Sequence, residues 1–196
     1  SILNVTNPDA PEALGSATDW DLMRHRAALD TWSAGDSVYV VMAGGCCGDP
    51  VQIIDVTDPD APVARGVVQS YEWPGTPLEQ GTEVSTWSAG GSVYAMVESS
   101  VYARGVEIID VTDPDSPVAR GFATFDSLGF DDPHLPMAGL STWSFGDSAY
   151  AIGTQLFGNS VVIINVTDPD SLVAVGNVVV VEPHTVKVWN SGGNVY

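Results

Sequence analysis

The chain is poor in what usually staples, steers or catalyses. Its two cysteines are neighbours, Cys46 and Cys47 in AGGCCGD, and adjacent cysteines cannot tie distant parts of a fold together. With no further Cys or His beside them they are weak metal evidence; a strained vicinal disulfide, a metal with outside ligands and free thiols all stay open. Lysine occurs once, at Lys187, and the 6 basic residues stand against 25 acidic ones, a net charge of −19. Such a surface repels phosphate backbones, which excludes nucleic-acid binding, and it avoids anionic lipid unless divalent cations intervene. No apolar run approaches the roughly 18 residues of a membrane span, and no segment carries the 3.6-residue stripe of an amphipathic helix. G-x-S-x-G, P-loop and H-E-x-x-H patterns are missing, as is any defensible Ser/His/Asp spacing, so a non-enzymatic protein is expected. The sequence opens on Ser1 with no Met and no signal peptide, which reads as a processed or trimmed mature chain.

What is abundant is repetition. IIDVTDPDAPVARG (53–66) recurs as IIDVTDPDSPVARG (108–121), IINVTDPDSLVAVG (163–176) and ILNVTNPDAPEALG (2–15). Trp32, Trp87, Trp143 and Trp189 keep step with it; Gly35, Gly90, Gly146 and Gly192 follow three residues later, and Tyr39, Tyr94, Tyr150 and Tyr196 seven residues later. The period is about 55 residues, in the range of repeat architectures. Within one unit the signals are those of strands. EVSTWS alternates, AGGS makes a tight turn, VYAMV and VEIIDV are apolar runs, and TDPDSP closes the third strand with turn residues. SPVARGFATF supplies a fourth, outer strand, its proline at the start where no ladder hydrogen bond is lost. Each unit is therefore a four-stranded antiparallel meander, with strands A to D. Four-stranded units at this period predict a β-propeller, the aromatic side chains filling the wedges between blades.

The stretch VYAMVESSVYARGVEIIDVTDPDSPVARG resembles the LVIVD-repeat family of extracellular β-propellers, whose repeat runs AYVA…GLxIIDVSDPxxPxxxG. The resemblance covers all four repeats. It implies the propeller fold and a secreted or surface-anchored protein, and it brings no shared catalytic motif. The expected fold is all-β and four-bladed in a single domain of residues 1–196. Three complete four-stranded blades span about 27–71, 83–125 and 139–181, and a composite blade joins 185–196 to 1–16. Joining the N- and C-terminal strands in one sheet removes exposed edges. The same pairing is available in cis, sealing one ring, or in trans, giving a homo-oligomer or polymer.

The propeller sorts its connections onto two faces. A–B and C–D turns share one nearly invariant face, while D–A and B–C loops, which vary, share the other and are where function is expected. Candidate ligand-binding residues on the variable face are Trp73, His134, His25 and His184. With Asp131, Asp132, Glu79 and Glu182 nearby, a His/carboxylate metal site at the channel mouth is a further candidate, of unknown metal. The D-x-T-D-P-D turns lack the Gly and the distal Glu of a calcium loop; Asx capping explains their acids, with weak Ca2+ binding between subunits as the alternative. Asn4 and Asn165 begin N-V-T sequons at equivalent points of two repeats and are candidate glycosylation sites. Together these readings lead to an extracellular structural or adhesive surface module that assembles with copies of itself. The alternative is a carbohydrate- or ligand-binding propeller that takes glycans on its variable face.

Overall fold

The computed structural model describes residues 1–16, 28–43, 50–68, 83–99, 104–155, 157–181, 183–191 and 194–196, with no helix among them. Apolar strands separated by glycine and proline turns can bury their side chains only by pleating into sheets. They do so as three antiparallel meanders. The first blade holds β3 (Ala28–Ala34), β4 (Ser37–Ala43), β5 (Val51–Asp55) and β6 (Val63–Val68). The second holds β7 (Val84–Ala89), β8 (Ser92–Ser99), β9 (Gly105–Asp110) and β10 (Val118–Thr124). The third holds β11 (Met137–Phe145), β12 (Ser148–Gln155), β13 (Ser160–Asn165) and β14 (Val173–Val179). The innermost strand β7 neighbours both β3 and β11, which places A strands at the centre of a β-propeller.

The aromatic register survives as cross-strand pairing. Trp32 faces Tyr39, Trp87 faces Tyr94 and Trp143 faces Tyr150, with ring centroids 5.2–5.4 Å apart. Tight A–B turns demand a positive φ at their first central residue, and Gly35, Gly90 and Gly146 supply it at 61°, 61° and 59°. The C–D turns carry an i→i+3 bond across Pro, as from Ala61 N–H to Asp58 O (3.1 Å). Their acids cap the backbone, as the sequence suggests. Asp58 Oδ1 accepts from Asp60 N–H, and Asp55 Oδ1 from Thr57 N–H, both at 3.0 Å. The Thr57 bonds hold the Asp55 carboxyl below the ordinary carboxylate range. Thr57 Oγ1 in turn accepts from Val38 N–H, which binds the A–B turn to the C–D turn on one face.

The core lies between blades. Trp32, Val41 and Ile53 on the back of the first sheet pack on Val84, Ala95 and Ile109 at the front of the second. Trp87, Met96 and Ile108 then meet Leu140, Ala151 and Ile164 of the third. A hydrogen bond pins each seam at the rim: Gly66 N–H donates to Pro114 O (2.7 Å) and Gly121 N–H to Pro169 O (2.9 Å). Arg120 adds a two-pronged bond to Asp170 at 2.7 and 2.9 Å, and Arg65 reaches Asp115 at 2.6 Å.

These rim ion pairs are well exposed and give small, salt-sensitive effects. The bond from Arg120 holds the Asp170 carboxyl below its usual range. A depressed folded-state pKa contributes stability above the unfolded value, about 3.9, and loses it as pH falls through the folded one. Arg120→Gln is therefore expected to lower the melting temperature at pH 7, with the difference from wild type closing in acid. Thermal melts at pH 7, 4 and 2.5 check this, and a gap independent of pH would sink it.

The fourth blade differs from the other three. Its strands come from the two ends of the sequence, as expected, but as two separate two-stranded ribbons: β1 (Leu3–Asn4) with β2 (Glu12–Ala13), and β15 (Asn190–Ser191) with β16 (Asn194–Val195). The first is bonded to the first blade through Gly15 N–H to Pro59 O (2.8 Å), the second to the third blade through Val188 N–H to Ser141 Oγ (3.2 Å). No ladder joins β16 to β1 among the described residues. In the first two blades the B–C ladders begin where Tyr39 and Tyr94 pair with Asp55 and Asp110.

Candidate functional site on the variable loop face

Of the variable loops, the described ones cluster at the third blade. Trp73, His25, Glu79, Glu182, Cys46 and Cys47 lie outside the described residues. The loop from 125 to 136, joining β10 to β11, is long but firmly built. Phe125, Leu128 and Phe130 are buried anchors, the two phenyl rings packed edge to face at 5.2 Å. Gly129 turns the chain with φ 75°, and its carbonyl accepts from Asn177 Nδ2 (3.0 Å) on β14. Thr124 Oγ1 accepts from Ser127 N–H (3.1 Å).

The polar half of the loop is held from beneath. Gln155, fully buried at the end of β12, donates through Nε2 to Asp132 O (2.6 Å) and Leu135 O (3.1 Å). Ser160 Oγ accepts from Asp131 N–H (3.3 Å), and Glu98, buried at the end of β8, accepts from Met137 N–H (2.7 Å). This last bond crosses a blade seam, so a carboxylate of the second blade positions the start of β11. Glu107 on β9 is buried in the same sheet, on its opposite face.

On that base sits His134, exposed, its backbone N–H bonded to Asp132 Oδ1 (2.8 Å). Its Nδ1 contacts a guanidinium nitrogen of Arg104. A guanidinium only donates, so in this contact Nδ1 is the acceptor. Arg104 holds a left-handed backbone, φ 48°, where the chain enters β9. Phe157, on the neighbouring loop between β12 and β13, also has positive φ (63°) and is 70% exposed. Non-glycine residues in this region are uncommon and cluster at functional loops. The described variable face thus offers an acid pair, Asp131 and Asp132, an Arg–His pair, and one exposed aromatic ring.

His184 is exposed at the start of the C-terminal segment. Among the described residues no three His, Cys, Asp or Glu side chains come together as a metal site. Asn4 and Asn165 lie at the opposite face, where their Oδ1 atoms accept from Thr6 and Thr167 N–H groups at 3.0 and 2.9 Å, as the Asp residues do in the other repeats. Toward the centre, burial holds the Glu83 carboxyl above its usual range while the charge of Lys187 acts against that shift.

Sequence reasoning placed His134 and the two acids on this face but missed Arg104, Gln155, Glu98 and Phe157. The available signal was a polar residue inside an apolar strand: Glu in YAMVES and VEIIDV, Gln in AIGTQ.

No family model matches the chain, and neither does any curated protein sequence. Solved structures that resemble it include two of one enzyme. The exo-β-1,3-galactanase of Phanerochaete chrysosporium with galactose superposes with a TM-score of 0.54 at 10% identity. A variant of that enzyme with β-1,3-galactotriose superposes with a TM-score of 0.50 at 12% identity. In both cases the match covers 78% of this chain and 38% of the other, so the chain spans about two-fifths of those proteins' length. At such identity the likeness is one of fold. It nonetheless overturns the expectation of a non-enzymatic protein, which rested on missing nucleophile motifs. Enzymes acting on a glycan share this architecture, and a pair of carboxylates brought together by folding leaves no contiguous motif.

Proposed function

We propose that the chain is a carbohydrate-binding propeller that takes its ligand on the variable D–A and B–C loop face. The observation that carries the reading is the likeness to two propeller structures described with galactose and β-1,3-galactotriose. The chemistry of the described face supports it. Sugar hydroxyls need convergent donors and acceptors, which Arg104, His134 and Asp131 provide, and sugar rings need an exposed aromatic, which Phe157 provides. Trp73, which the sequence assigns to the variable face, would add a second ring. A buried scaffold of Gln155, Glu98 and Ser160 keeps these groups preorganised. An extracellular location, suggested by the acidic, lysine-poor composition, would set this face before polysaccharide.

Titration calorimetry with β-1,3-linked galacto-oligosaccharides, preceded by a glycan array, tests the reading. Binding is expected, with Trp73→Ala or His134→Ala weakening it about ten-fold or more while the melting temperature holds, as loss of a hydrogen-bonding or stacking partner does. Assaying reducing sugar in the same incubations separates a binding module from a hydrolase. A blank array, or affinity untouched by both substitutions, would remove the proposal.

A further inference from the structure

The internal seams share one construction, and that regularity states what the two outer faces require. Each seam places an indole from the back of one blade against apolar residues at the front of the next. Trp32 and Trp87 are 8% and 6% exposed there, facing Val84 (7%) and Leu140 (1%). Each also bonds a glycine N–H to the proline carbonyl of the following C–D turn.

Two half-seams are left over. At the front of the first blade, Leu29 occupies the place of Val84 and Leu140 yet is 61% exposed. With Val40, Met42, Ile54 and Val56 it lines an apolar pocket of about 360 Å3, which Ser1 and Ile2 of the N-terminal ribbon reach. At the other end Trp189, stacked on Tyr196 at 5.8 Å, is 61% exposed, whereas Trp32 and Trp87 are buried. The rim is likewise open. Gly176 is the counterpart of Gly66 and Gly121, but no bond joins it to Pro8 among the described residues. A Cβ on Gly176 would meet only Ile163, at 3.7 Å, whereas one on Gly121 would stand 2.5 Å from Pro169 O.

We propose that these half-seams are a head-to-tail interface between copies of this chain. The Trp189–Tyr196 ribbon and β14 rim of one copy dock on the first-blade front and the Asn7–Pro11 turn of a second copy. A second copy brings together the two things each seam needs, an apolar front and a proline-carbonyl turn, and no ladder or rim bond joins the two halves among the described residues of one chain.

The charges agree. Around the centre, Asp30 accepts from Thr86 N–H (2.7 Å), Ser85 Oγ from Thr142 N–H (3.1 Å) and Ser141 Oγ from Val188 N–H (3.2 Å). The next position in this relay is Lys187, which has no lone pair to accept with. It presents instead the chain's only lysine side chain. The interface is heterologous, so it propagates into a ring or an open filament rather than a closed two-fold dimer. It does not depend on the carbohydrate reading.

Sedimentation velocity and light scattering on the 196-residue chain, from about 1 to 200 μM, test the proposal. The expected result is a mass that climbs with concentration above 20.6 kDa. Gly176→Ala should stay monomeric with an unchanged melting temperature, since its methyl group is tolerated within one copy but collides at the interface. Trp189→Ala should weaken association about thirty-fold or more, as loss of a buried indole anchor does. A wild-type chain at 20.6 kDa throughout would overturn the proposal. If Gly176→Ala then also lowered the melting temperature, the ring would be closing on its own N-terminal turn. Association that persists unchanged in both variants would overturn it as well.

Discussion

Trp87→Ala is expected to destabilise the chain by about 3–5 kcal/mol, the usual loss when a buried tryptophan is truncated. Trp87 lies in the larger core cluster, between Met96 and Ile108 of its own blade and Leu140 and Ala151 of the next, and its ring packs on Tyr94 at 5.4 Å. Collapse cannot refill the space, because both walls are sheets held by their own ladders. The indole Nε1 is buried with no hydrogen-bond partner, so the loss is one of packing alone. Trp87→Phe, which keeps most of the volume and removes the unpartnered N–H, should therefore lose only about 1–2 kcal/mol. Trp189→Ala, the same substitution two repeats further on, should change the stability of the isolated copy by no more than about 0.5 kcal/mol, as exposed positions do. Denaturant unfolding of the three variants at low protein concentration gives the comparison. Equal losses at Trp87 and Trp189 would mean that the outer tryptophan is covered after all.

The second large effect is expected at glycines that no turn requires. Gly66 and Gly121 sit in outer strands, where alanine would ordinarily be harmless. A Cβ on Gly121 would lie 2.5 Å from Pro169 O and 2.8 Å from Leu172 Cδ1, and one on Gly66 would lie 2.6 Å from Pro114 O. These obstacles include turn backbone fixed by proline and by Asx bonds, so the seam itself has to open. Gly121→Ala is expected to lose about 2–3 kcal/mol, the range for overpacking. For a chain of this size that is roughly 5–10 °C of melting temperature. Gly121→Ala melting like wild type would show that the blades can slide apart at the rim without loss.

Much of the architecture was legible in the sequence because its determinants are local. Period-2 runs, glycines where φ must be positive and Asp-Pro-Asp turns act over a few residues, so reading them four times over identified blades and the sorting of loops onto two faces. Asp55 and Asp58 were read as caps, and each does cap its own turn, since an Asx side chain reaches only its immediate backbone. The variable face was legible only in outline. His134 could be placed on it, but its partner Arg104 lies 30 residues away and is delivered by another blade. Glu98 and Gln155 read as incidental polar residues, and only their burial under the 125–136 loop shows that they hold it.

By itself the sequence determined the repeat, the all-β character, the aromatic register and the residues that turn the chain, all set by spacing and short-range sterics. Only the tertiary structure decided which equivalent residues are equivalent in environment. Trp32, Trp87 and Trp189 occupy the same register, yet two are buried and one is exposed; Gly121 and Gly176 end the same motif, yet one is clamped and the other open. The physical reason is that burial at a blade face belongs to a pair of blades. A repeat specifies its own half of each seam, and whether that half is filled depends on what stands beside it in space.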